Sequence, residues 1–225
     1  MADVCTGYNY ALAGQDVVPI VLGAIGFLCL AKRIEGRFPE LKLAVYFAAT
    51  ILVIGSAFAG PIRKTLLAGG AECNSLDWMQ IPFFSSMPIG FGILCWAVLC
   101  LLRDRKVSFL PFGLAIAALF LLASLITHPF PLVAAGGLFA IATGVECALL
   151  ARRERATLTA VLFVLYAISI SALPAFGSND HGGAVSQQWL EQGTNTVAQA
   201  LFAVATFRLL RAYQRTGTRS VLVEN

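Results

Sequence analysis

Four amides recur at helical spacing late in the chain: Gln188, Gln192, Asn195 and Gln199. Steps of three and four residues place them on one face of a helix. Hydrocarbon rejects a row of amides, so the stripe must face protein or water, and buried amides need partners. Two readings fit. The stripe either zips its helix to its neighbours or lines a polar cavity. Trp189 and Glu191 stand on the same segment, and Asp77, Trp78 and Gln80 open another apolar segment. Asp16 lies near the start of the first one. These ten residues could hold a small solute or lipid through amide hydrogen bonds, indole faces and a carboxylate anchor. The two tryptophans also suit an interfacial belt.

The remaining chemistry is sparser. His128 and His181 fall at the same end as Glu72, Asp77, Asp180 and Glu191. Imidazoles with carboxylates could hold a metal and activate water. Their spacing matches no ligand motif, however, and two loop histidines in solvated turns are the plainer reading, so no cofactor is assigned. Glu146 and Arg208 sit at similar depth in two apolar segments, and a structural ion pair is the plainest use for both. Cys29, Cys95, Cys100 and Cys147 lie inside apolar segments and read as small hydrophobes. Cys5 and Cys73 lie outside them at one end, where a disulfide would tie the N-terminal segment to a loop.

The elements that must position these groups are membrane helices. Of 225 residues, 58% are apolar and 12% charged, with a mean hydropathy of +0.79. A soluble domain carries roughly 25% charge, and one of this length could not hide so much apolar surface. The apolar runs predict seven spanning helices in a single domain, at about 11–31, 43–60, 78–102, 109–127, 131–150, 158–176 and 189–210. The leader before the first run has no Lys or Arg, and Lys32 and Arg33 follow it, so that run is expected to be kept as a helix.

Basic residues fall into alternate gaps. Lys32, Arg33, Arg37 and Lys42 occupy the first; Arg103, Arg105 and Lys106 the third; Arg152, Arg153 and Arg155 the fifth. Arg208, Arg211, Arg215 and Arg219 follow in the tail, leaving only Arg63 and Lys64 elsewhere, in a gap expected to be an outer loop. Loops kept on the cytoplasmic side carry such an excess. The expected topology is a multi-pass cell-membrane protein, N-terminus out and C-terminus in. Its net charge of +4 suits anionic lipid headgroups rather than nucleic acid.

The two halves also share motifs in the same order. Ala31-Lys32-Arg33 pairs with Ala151-Arg152-Arg153, and Leu101-Leu102-Arg103 with Leu209-Leu210-Arg211. A parallel repeat of three helices, one connector and three helices would produce this. Reuse of a small apolar alphabet would too. Small residues that let helices approach recur at Gly23/Gly26, Gly55/Ala59/Gly60 and Gly136/Gly137. The seven-helix plan is similar to that of microbial rhodopsins, but the last helix has no lysine for a retinal Schiff base. The only lysines are Lys32, Lys42, Lys64 and Lys106.

Three functions remain in view. A transporter or carrier would bind a small solute or lipid near the outer ends of the third and seventh helices. A non-catalytic or receptor-like subunit would pair with a copy of itself or another membrane protein. An outward-facing hydrolase would need the two histidines and a metal.

Overall fold

The computed structural model describes residues 8–72, 74–177 and 185–223, with side chains described for 8–72, 74–173 and 187–215. Cys5, Cys73, Asp180 and His181 lie outside the described residues, and so do the disulfide expected for the first two and half of the histidine pair. Among the described residues the chain is helical throughout, with no strand.

The helices are α1 (Tyr10–Glu35), α2 (Lys42–Ala57), α3 (Arg63–Ala68), α4 (Ile81–Arg103), α5 (Leu110–Leu125), α6 (Phe130–Arg153), α7 (Thr157–Gly177) and α8 (Val185–Val223). Local chemistry sets several of their ends. The Asn9 side chain accepts a hydrogen bond from Leu12 N at 2.8 Å and caps α1. Lys32 and Arg33 fill its last turn, where cations meet the negative end of the dipole. Proline stands in the first turn of α4, α5 and α6, where its missing N–H costs nothing.

The expected loop after the second helix is the main correction. A π-helical turn, Phe58–Ile62, joins α2 directly to α3, so helix continues to Ala68. Pro61 sits inside that turn. A wider turn accommodates a residue with no N–H to donate and a ring that crowds the previous turn. Arg63 and Lys64 therefore project from a helix rather than a loop. A 3₁₀ segment, Asn74–Gln80, leads into α4. The last helix is also longer than expected, starting before residue 189 and ending well beyond residue 210.

With α2 and α3 taken as one rod, six rods form a closed ring. α1 packs on α2, α2 on α4, α4 on α6, α6 on α7, α7 on α8, and α8 back on α1. α5 lies outside, against α4 and α6. Glycines permit several of the close approaches between rods. A Cβ on Gly26 would run into the Phe202 ring, at the α1–α8 contact. A Cβ on Gly136 would meet Met87, with its backbone 3.1 Å away, at the α4–α6 contact. Gly137, by contrast, faces open space.

Leu30, Ile34, Leu94, Val98, Phe163, Phe202 and Leu209 fill the ring interior and are almost fully buried. The outside is apolar as well: Leu43 is 83% exposed, Leu125 73% and Leu138 68%. α5 buries only Ile116 and Ala123. Apolar surface on this scale is stable against lipid and not against water. Four helical stretches are long and apolar enough to cross a bilayer: Tyr10–Glu35, Pro39–Ala68, Asn74–Arg103 and Phe130–Arg153. Leu110–Leu125 and Thr157–Leu173 are shorter apolar helices. This is the make-up of a helical membrane protein.

Candidate functional site

The ring encloses a cavity of about 580 Å³, within the size range of small-ligand sites. It lies toward the end remote from the basic turns, and its walls differ in character. α8 supplies Gln188, Glu191, Gln192, Asn195 and Gln199. α1 supplies Asp16, and the π turn and α3 supply Gly60, Arg63 and Lys64. Deeper in, Phe27, Leu52, Met87, Phe91, Ala140 and Ile170 make an apolar floor. Phe83, Phe84 and Gln80 come from the start of α4 and the segment before it.

An ion pair fixes one wall. Asp16 is 3% exposed. Its carboxylate takes both contacts from Lys64 Nζ, at 3.0 Å to Oδ1 and 2.7 Å to Oδ2. The bond joins the second turn of α1 to α3, and it exists because the π turn carries the helix on past Pro61. Gly60 leaves the room: a Cβ there would lie 3.2 Å from Asp16 Oδ2. Beside it, Arg63 Nη2 donates to Asp77 Oδ1 at 3.1 Å, closing the rod against the 3₁₀ segment. The one gap expected to break the charge pattern thus has both of its cations neutralised.

α8 is held to α1 by Gln15 Nε2 donating to Thr196 Oγ1 at 3.0 Å. Gln199 Nε2 reaches Asn195 Oδ1 at 3.5 Å. Gln188 Oε1 and Gln199 Oε1 are buried with no hydrogen-bond partner. Glu191 is within electrostatic range of Lys64 and Asp16 but makes no hydrogen bond or ion pair among the described residues.

Of the ten residues singled out in the sequence, seven line this cavity: Asp16, Gln80, Gln188, Glu191, Gln192, Asn195 and Gln199. Asp77 acts at one remove, through Arg63. Trp78 is 55% exposed and tilts against Phe58 at 6.4 Å, and Trp189 is 39% exposed; neither lines the cavity. The sequence reading missed Arg63 and Lys64, placed in a loop, and the phenylalanine floor, which nothing in a uniformly apolar alphabet marks out. The run Gly55-x-x-x-Ala59-Gly60-Pro61 was the available signal that a helix packs closely and then widens.

One other expectation is corrected. Glu146 and Arg208 do not pair, because α7 stands between α6 and α8. Glu146 lies beside Cys95 of α4 with Oε2 unbonded, and Arg208 Nε reaches Thr159 Oγ1 at 3.4 Å. His128 is exposed in the turn before α6, where its Nδ1 accepts from Phe130 N at 3.1 Å. Among the described residues no three His, Cys, Asp or Glu side chains gather closely enough to hold a metal.

The opposite end of the ring is tied shut. Arg33 Nη2 pairs with Glu154 Oε1 at 2.7 Å, and the Arg33 guanidinium lies 4.0 Å over the Tyr213 ring. Tyr213 OH donates to Gly36 O at 2.7 Å, and Arg153 Nη1 donates to Leu102 O at 2.9 Å. Arg37 bonds Asp104 at 2.8 Å and holds that carboxyl below its ordinary range.

No protein-family model, curated protein or solved structure matches this chain.

Proposed function

We propose that the chain is a membrane carrier that takes up a small amphiphilic ligand from the non-cytoplasmic side. The observation that carries this reading is the cavity, polar near one end and apolar in its depth, set inside a ring whose other end is closed. A polar mouth selects a headgroup and a phenylalanine floor takes an apolar chain. The sidedness is supported by 14 of the 16 basic residues, which lie toward the closed end as the positive-inside rule expects of a cytoplasmic face.

The ring supports carriage over static binding. Its two contacts between halves, α1 with α8 and α4 with α6, are equivalent under a repeat that pairs α1 with α6 and α4 with α8. The end residues follow the same rule. Arg33, closing α1, reaches Tyr213 on α8, while Arg153, closing α6, reaches Leu102 on α4. Two like halves joined by an outer connector can rock about a central site.

The test is occupancy. Gly137 lines the cavity and a Cβ there meets nothing within 4 Å, so Gly137→Phe is expected to project a ring into the cavity and fill it. Small molecules co-purifying in mild detergent are extracted and weighed by mass spectrometry. Wild-type protein is expected to retain a molecule that Gly137→Phe loses. Identical extracts from the two would sink the proposal.

A further inference from the structure

We infer that the ligand of this cavity is a cationic amphiphile, a protonated amine on an apolar chain, with its head at Glu191. The inference rests on the carrier reading above and adds the chemical class.

It follows from what the lining has left over. Two acids and two bases line the cavity: Asp16, Glu191, Arg63 and Lys64. Lys64 is spent on Asp16 at 2.7 Å, and Arg63 on Asp77 at 3.1 Å. Of these four, Glu191 is the one in no ion pair among the described residues, and with Asp77 counted the three acids outnumber the two bases by one. One turn earlier on the same helix face, Gln188 Oε1 is a buried acceptor with no donor. A second unfilled acceptor, Gln199 Oε1, lies two turns deeper. A lining with surplus acceptors and one surplus negative charge is complementary to a positive donor.

An ammonium supplies both missing quantities at once. It pairs with the Glu191 carboxylate and donates a further N–H to Gln188. Its chain then runs down past Met87 and Phe91 to the floor. A carboxylate or phosphate head would meet Glu191 as a like charge, and neither cation is free to receive it. Among the buried unpartnered atoms of the lining, the one donor is Arg63 Nε. It offers a place to a neutral oxygen beside the ammonium, not to an anion, because Asp77 already meets the guanidinium charge.

Protein in nanodiscs is titrated calorimetrically with octylamine, octanol and octanoate, with heats from empty nanodiscs subtracted. Octylamine is expected to bind at least about tenfold more tightly than the other two. Glu191→Gln is expected to lose that advantage while keeping its octanol affinity and its ligand-free melting temperature, which report an intact cavity. Octanol or octanoate matching octylamine would overturn the cation assignment and leave the cavity reading standing. Undiminished octylamine binding in Glu191→Gln would overturn it too. No binding by any of the three would remove the cavity reading itself.

Discussion

Asp16 and Lys64 are each costly inside a bilayer, and each is tolerable because the other is there. Removing one partner is far worse than removing both, since the survivor is a buried charge with nothing opposite. Lys64→Met is expected to destabilise the protein by about 3–5 kcal/mol. Asp16→Asn combined with Lys64→Met should recover most of that loss, because a neutral pair needs no counter-charge. Melting temperatures of the two variants in one detergent decide it; a double variant as weak as the single would show that the pair is not the source. The sequence marked Asp16 as interesting but could not supply its partner. Forty-eight residues separate the two, and the link depends on a helix continuing past a proline. The amide stripe was legible because it repeats within one helix. Pairings between helices were not, and Glu146 with Arg208 shows why: similar depth does not make two residues neighbours when another helix stands between them.

At the scale of the element, spacing between rods is set by what their glycines omit. Gly26 and Gly137 look alike in sequence, both flanked by apolar residues in long helices. They differ only in what faces them, the Phe202 ring for one and open space for the other. Gly26→Ala should therefore cost about 1–3 kcal/mol through overpacking at the α1–α8 contact. Gly137→Ala should be neutral or gain up to about 1 kcal/mol in helix propensity. Thermal unfolding of both measures the contrast, and equal effects would show that the ring is not packed as described. Helix existence was readable from apolar run length alone. Helix ends were readable only where caps and prolines marked them. The π turn escaped notice because Pro61 ordinarily signals a stop, and only packing against α1 and α4 makes a wide turn worth keeping.

The whole molecule is polarised along the ring axis. One end holds Arg33, Arg37, Lys106 and Arg153 in bonds that join the ends of separate helices; the other holds a cavity with its two cations neutralised. The positive-inside pattern counts Lys and Arg by position, paired or not, and 14 of the 16 stand at the bonded end against Arg63 and Lys64 beside the cavity. The orientation expected from that count puts the bonded end in the cytoplasm. The prediction is a labelling pattern in intact cells, in a background with Cys5 and Cys73 replaced by Ser. Tyr8→Cys, beside the cavity, should react readily with an impermeant maleimide. Gln214→Cys, on α8 beyond the basic ring of residues, should react only after the membrane is permeabilised. If Gln214→Cys is modified in intact cells, the closed end faces outward. The cavity would then open to the cytoplasm, and the direction of any transport would reverse.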